Sequence, residues 1–342
     1  MPSKSFPSTP YKGLFKGLQL HSWNLTPSIA IPSLDIQMDN LLNDVSVNLL
    51  GGYNINEQRS FYVASMTYSK WYPQIQVFAG SGRRNTFFQS PSDTLAVQQF
   101  NQHTIGSTVS VPLTWNKGDF RTSFQPFINY SLRFIRNPIF ETLEQANYHL
   151  STFAVGTRFS TLRRTAFQQV DSRFGQTFNV FYNRTLDQRQ DQQLHVESSF
   201  YLPGIGQNHS IKFDIQYRNQ ALRDQYQFSD RFEYPRGYSR IPSDRFTKLA
   251  VNYHLPLAYP DWGFSGITYF KRIRANLFFD YGRGKSDLFE PIELNSLGVE
   301  LMLDNHFFME LPVTIGWRNS FLLNKNIEKR YDYEIFITSE FF

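Results

Sequence analysis

Apolar and polar residues alternate along most of this chain, so period two dominates and a helical period of 3.6 is hard to find. The second half shows the pattern best. In IKFDIQYR, Ile211, Phe213, Ile215 and Tyr217 oppose Lys212, Asp214, Gln216 and Arg218. In KLAVNYHL, Leu249, Val251, Tyr253 and Leu255 oppose Lys248, Asn252 and His254. RIRANLFFDYG sets Ile273, Ala275, Leu277, Phe279 and Tyr281 against Arg274, Asn276 and Asp280. SLGVELMLD and LPVTIGWR continue with Leu297, Val299, Leu301 and Leu303, then Leu311, Val313, Ile315 and Trp317. The last segment sets Tyr331, Tyr333, Ile335 and Ile337 against Asp332, Glu334 and Thr338.

The first half is noisier. DVSVNLL, FYVASMTY, YPQIQVFAG, TIGSTVSVPLTW, FRTSFQPFINYSLRF, LSTFAVGTRF, QTFNVFYNR and QLHVESSFYL read as strands. IAIPSLDIQM is a weaker first strand, because Pro32 cannot donate to a ladder. GLQLHSW is weaker still, and residues 161–174 are ambiguous. Fifteen or sixteen segments result. Single-chain membrane barrels favour even numbers, so sixteen are expected.

A soluble sandwich also alternates, with its apolar side buried. Three features favour a barrel in lipid. The clear segments run about 9–11 residues, the span of a tilted strand across a bilayer. Full charges recur on their polar faces: Lys212, Asp214, Arg218, Arg274, Asp280, Glu300 and Glu334. Aromatics recur near segment ends, at Tyr217, Tyr253, Tyr281, Trp317, Tyr331 and Phe341, as interfacial girdles require. Composition agrees. Phe, Trp and Tyr make up 17% of the 342 residues, yet the mean hydropathy is only −0.42. A barrel shows lipid one strand face and water the other, so its average looks polar. No apolar run is long enough for a transmembrane helix. The expected fold is an all-β, transmembrane antiparallel barrel of residues 18–342, preceded by an extension or linker, residues 1–17. That opening, rich in Pro and Ser, lacks the apolar region of a signal peptide.

Connection lengths suggest sidedness. Residues 219–246, 283–293 and 319–330 form long polar links on one side, while those near 259–266 and 305–309 are shorter. Long links outside and short ones inside put the C-terminus in the periplasm. The longest link contains FEYPRGYSR, residues 232–240. Pro235 fixes φ, Gly237 frees the backbone to turn, and Tyr238 adds an aromatic face and a hydroxyl. The segment is either a solvated turn, with Asp280 paired to Arg274, or a loop tucked into the lumen, with Arg236 reaching Asp280. The second arrangement allows a bidentate pair away from bulk water.

The order of these motifs resembles the BamA-like superfamily of outer-membrane insertases and translocators. In that family a sixteen-stranded barrel carries an Arg-Gly-Phe/Tyr motif in its sixth extracellular loop, with five strands following; five follow here. The next strand there tends to read Glu-Tyr-Arg-Phe-Pro-Leu, and this chain has Asn252-Tyr253-His254-Leu255-Pro256-Leu257. The family's Phe-x-Asp-x-Gly corresponds to Phe278, Asp280 and Gly282. The resemblance implies a loop folded into the lumen, with Arg236 on Asp280. Asn252 stands where the family often has a lumenal Glu, which leaves Arg236 one carboxylate instead of two. The family's periplasmic transport-associated domains have no room before this barrel pattern. The chain is therefore a barrel excised from a larger protein or a short form. His21–Ser28, HSWNLTPS, is similar to a stretch preceding the barrel in Bacteroidetes-type relatives. The ending TSEFF resembles the family's C-terminal β-signal, with Tyr333, Ile335, Ile337 and Phe341 on one track and Phe342 one residue out of phase.

Enzymatic chemistry finds little support. There is no Cys, hence no disulfide or thiolate metal site. The seven His are scattered, His195 and His254 reading as solvated lumenal polar residues and His103 and His209 as near loops. No HExxH, GxSxG or phosphate loop occurs. Arg83-Arg84 and Arg163-Arg164 read as solvated loop charges. A net charge of +5 without a dense cluster gives nucleic acid no footing. The expectation is a cofactor-free, metal-free, non-enzymatic barrel of the bacterial outer membrane. It would assist insertion or translocation of outer-membrane proteins, other polypeptides or lipids, in contact with outer-membrane lipid and lipopolysaccharide. Periplasmic or surface subunits are further possible partners. The alternatives are a structural anchor of a larger complex and a passive channel.

Overall fold

The computed structural model describes residues 18–26, 30–89, 95–140, 143–144, 146–224, 226–308, 311–324 and 330–338. Sixteen strands pair in sequence order, each antiparallel to the next, in one sheet that curls into a nearly closed barrel. They are β1 (Gln19–Thr26), β2 (Ser33–Asp39), β3 (Val45–Asn54), β4 (Arg59–Tyr68), β5 (Gln74–Gln89), β6 (Leu95–Ser110), β7 (Phe120–Phe140), β8 (Tyr148–Arg163), β9 (Gly175–Thr185), β10 (Gln192–Pro203), β11 (Ser210–Asn219), β12 (Arg245–Ala258), β13 (Thr268–Lys285), β14 (Ile292–Phe307), β15 (Leu311–Leu322) and β16 (Tyr331–Thr338). Three short strands, Leu113–Lys117, Leu143–Glu144 and Trp262–Phe264, lie in the connections. No helix among the described residues is long and apolar enough to cross a membrane, which says nothing against crossing by strands.

Burial is inverted relative to a soluble sandwich. The apolar tracks are exposed: Leu277 is 50% accessible, Ile335 78% and Tyr333 65%. The charged tracks are buried, with Arg274, Asn276, Asp280 and Glu300 at or below 5%. An aliphatic and aromatic outer belt around a polar interior suits lipid outside and a polar lumen inside.

The structure corrects several expectations. The first strand is the weaker candidate within GLQLHSW, extended to Thr26, so Pro32 lies in the connection before β2 and not in the first strand. HSWNLTPS does not precede the barrel, because His21–Thr26 belongs to β1. Residues 164–174 form no strand; β8 ends at Arg163 and β9 starts at Gly175. Several strands exceed the spanning length, reaching 21 residues in β7 and 18 in β13. Their ladders continue beyond a bilayer's thickness because their neighbours are also long, with 16 residues in both β8 and β14. Trp317 sits mid-strand in β15, opposite Leu301 and Ile335, and not at a segment end.

Closure is incomplete. No backbone ladder joins β1 to β16 among the described residues; β1 pairs with β2 and β16 with β15. Both seam strands have 8 residues, against 12 in β15.

Candidate functional site

The 25-residue connection between β11 and β12, residues 220–244, folds into the lumen. It is rich in aromatics, and these supply its inward pull. Tyr226 and Phe228 pack with Phe100, Ile135 and Leu150 of the barrel wall. Phe232 and Tyr234 pack with Phe246 and Leu294. Both clusters form edge-to-face ring pairs, such as Phe232–Phe246 at 5.1 Å between centroids.

Arg236 lies in a turn closed by the Tyr238 amide, which donates to the Pro235 carbonyl at 3.1 Å. Gly237 has φ 84°, the left-handed value such a turn needs at its third position. A Cβ there would also meet Leu322 Cδ2 at 2.6 Å, so only glycine lets the turn lie against β15. Pro235 sits over Gly282, where a Cβ would meet its Cγ at 2.5 Å. The Tyr238 hydroxyl donates to the Asn295 carbonyl at 2.8 Å.

Held in this way, Arg236 faces Asp280. Its Nε and backbone amide both donate to Asp280 Oδ2 at 2.9 Å, and Nη2 donates to Oδ1 at 2.5 Å. The fork is bidentate and the carboxylate is fully buried. The Phe278 ring lies 3.6 Å from the guanidinium carbon, a cation–π contact. Burial opposes the charge on Arg236, but Asp280 and Glu300 outweigh it and raise the guanidinium pKa above its ordinary value.

Arg236 has a second carboxylate after all. Its Nη1 donates to Glu300 Oε1 of β14 at 3.4 Å. Asn252 does not touch Arg236; it donates to Asp214 and accepts from Asn276, which in turn donates to Glu300. Glu300 also accepts from Arg318, which reaches on to Glu334. Arg274 pairs with Asp304 and leaves Asp280 to the loop.

Two further anchors hold the loop. Asp230 is fully buried, ion-paired to Arg218 at 3.2 Å and to Arg240 at 3.0 Å, and accepts from the Tyr234 hydroxyl. Burial alone would raise its carboxyl; Arg218 and Arg240 instead hold it below the usual carboxylate range. Near the loop's start, Arg84 of β5 donates to Glu57 at 2.5 and 2.9 Å and to the Gln227 carbonyl at 3.0 Å. Glu57 also accepts from the Asp230 amide. Arg84 is therefore not a solvated loop charge. Strand parity marks it as inward, on the same face of β5 as Gly82 and Gly80, a signal that the dipeptide hid. Arg83 is exposed, as is Arg163, which pairs with Asp119 across a surface turn.

The histidines are not solvated linings either. His195 is buried, stacked on Phe181 and bonded to Glu197. His254 bonds Asp171 of the connection before β9. His103 lies mid-strand in β6, not near a loop, and its ring meets Ser81 at 3.0 Å. This Ser–His contact is exposed, and among the described residues no third side chain bonds the ring to orient it as nucleophilic catalysis requires. No cluster of three metal-ligating side chains occurs among the described residues. Tyr333, Ile335 and Ile337 line the exposed face of β16; Phe341 and Phe342 lie outside the described residues.

Solved structures share this architecture. CdiB from Escherichia coli is similar over 90% of this chain, with a TM-score of 0.57 and 13% identity. BamA from Haemophilus ducreyi lacking POTRA domains 1–3 is similar over 91%, with a TM-score of 0.57 and 12% identity. The chain has a BamA-like barrel fold. CdiB from Acinetobacter baumannii gives a TM-score of 0.55 over 90% of the chain. This chain spans 58% and 56% of the two CdiB chains and 67% of the BamA chain. No protein-family model matches the chain, and neither does any curated protein.

Proposed function

We propose that this BamA-like barrel works in the bacterial outer membrane, C-terminus in the periplasm, assisting insertion or translocation of client polypeptides. The observation that carries this reading is the seam. The edges of β1 and β16 have no mutual ladder among the described residues, and an unpaired edge can template an incoming strand. The anchored loop supports it. Gly237 lies against Leu322 and Ser320 of β15, and Arg236 ties β13 to β14, so the wall beside the seam is braced. Opening is then confined to the seam. Sidedness rests on the connections: the long loop and the links before β14 and β16 share one end. Lipid surrounds the apolar belt, and lipopolysaccharide, client barrels and accessory subunits are its partners in this reading. No step requires a catalytic group.

The test exploits the absence of Cys. One cysteine in β1 and one in β16 form the sole possible disulfide. Oxidation is expected to halt assembly of client barrels in the host, and reduction to restore it. Full client assembly with the seam locked overturns the reading. A second reading, a scaffold barrel anchoring a larger surface complex, is favoured by the density of the loop's anchors. Depletion that leaves other barrels assembling normally selects it. A large, stable conductance in planar bilayers would instead select a passive channel.

A further inference from the structure

The lumen is not filled evenly. The loop occupies the side near β11–β15. A cavity of about 550 Å³ remains along the wall from β4 to β10, within the size range of small-ligand sites. Among the described residues its lining includes Arg59, Arg84, Arg133, Arg158 and Arg231, with Arg83 set aside on the alternate parity of β5, and a single carboxylate, Glu57. Glu57 is taken by Arg84 in a bidentate pair. The remaining four arginines make no ion pair among the described residues. Arg133 donates to the Tyr226 hydroxyl at 2.6 Å and to Thr152, and lies over Phe228. Arg158 lies over Phe127 at 5.2 Å and is otherwise open to the lumen. Arg231 is carried in by the folded loop and is open to the same space.

This arrangement departs from the rest of the lumen. Arg218, Arg236, Arg272, Arg274 and Arg318 each hold a carboxylate. Arg231 opens onto the cavity yet lies deep in the barrel, and that desolvation, then the cations Arg158 and Arg133, push its pKa below the ordinary value, with Glu197 opposing. Glu197 is itself engaged by His195 at 2.9 Å and Asn179 at 3.2 Å. Like charges gathered in a partly enclosed space repel, and an anion among them reverses the sign of that interaction. Guanidinium forks match phosphate oxygens two at a time, and amides beside them, such as Asn183 and Gln102, add neutral donors.

We propose that Arg158 and Arg231, with Arg133 near them and Arg59 elsewhere on the same lining, form a lumenal site for a small ligand bearing several phosphate charges. The volume suits a small ligand. The same chemistry could arrive as a free oligophosphate or as the phosphorylated sugar headgroup of a lipid. The site is independent of whether the seam opens.

The test uses the full chain in zwitterionic detergent at about 0.15 M salt, where long-range attraction is screened. Sodium tripolyphosphate is titrated by calorimetry, and a diphosphorylated lipid A in mixed micelles is titrated in parallel. Saturable binding of either is expected. The double variant R158Q/R231Q should weaken it tenfold or more, since charge-assisted bonds are lost. R163Q removes one charge from the surface turn and should bind as wild type does. Binding of tripolyphosphate identifies a free-phosphate site; binding of lipid A alone identifies a headgroup site. Folding is checked by heat-modifiable gel mobility, and R158Q alone replaces the double variant if the latter does not fold. No saturable binding of either probe, or equal binding by wild type and the arginine variants, overturns the proposal.

Discussion

The two sides of the lumen solve the same problem differently. Toward β11–β16 the barrel is filled by its own loop, and its arginines each meet a carboxylate. Along β4–β10 the barrel is open, and of the arginines lining it only Arg84 holds an acid among the described residues. Removing ions from water is costly unless geometry and hydrogen bonds compensate. Where the loop excludes solvent, compensation is therefore built residue by residue, as in the run from Asp280 through Arg236, Glu300 and Arg318 to Glu334. Where the cavity keeps solvent access, charge can remain unpaired. The contrast separates arginines that hold the fold from arginines available to a ligand.

Breaking the paired side should have the largest effect. Arg236→Ala strands Asp280 and touches Glu300, and breaking a buried pair costs about 3–5 kcal/mol. The temperature at which the folded gel band converts to the unfolded one should fall sharply. An unchanged conversion temperature would show that the pair holds nothing. Glu57→Ala comes next. Arg84 keeps Gln102, the Tyr226 hydroxyl and the Gln227 carbonyl, so the expected loss is about 2–3 kcal/mol. Protease cleavage within residues 220–230 should appear at lower temperature than in wild type.

The open side should respond little. Arg158→Gln is expected to change stability by no more than about 0.5 kcal/mol, as at an exposed site away from a network. A loss comparable to that of Arg236→Ala would erase the distinction between the two sides. A separate, pH-driven response is expected at the loop's start. Burial and then Asp191 push the Asp224 carboxyl up to about 7, and its Oδ2 has no hydrogen-bond partner. The folded loop therefore holds a proton that the unfolded chain releases at lower pH. Stability falls as pH rises from the ordinary carboxylate range to about 7, then levels off. Protection from hydrogen exchange near residues 221–228, taken relative to the intrinsic rate at each pH, should be lower at pH 8 than at pH 5.5, and Asp224→Asn should flatten the difference.

Much of the paired side was legible from residues 232–240 and 278–282, because strand parity alone puts Asp280 inward and Pro-Arg-Gly-Tyr describes a turn. Glu300 as a second partner was not. Parity also marks Glu300 as inward, but its approach to Arg236 depends on where the turn rests above β13 and β14. Asn252 was overvalued for the converse reason: it faces inward, yet its neighbours Asp214 and Asn276 engage it first. Arg84 was misread because position beside Arg83 suggested a loop, whereas β5 runs on to Gln89. The first strand was misplaced because β1 is short and mixed in character, and its assignment comes from the ladder with β2.

By itself the sequence determined the alternation and the inversion of apolar and charged faces, because period two is a property of the backbone that any strand must obey, and it narrowed the strand number to fifteen or sixteen. It also determined which loop could turn tightly on Gly237. Only the tertiary structure decided which charges meet, that β1 and β16 share no ladder among the described residues, and that four arginines without a carboxylate partner there face a cavity. Those depend on barrel curvature and on the path of a 25-residue loop, which brings together side chains far apart in the chain.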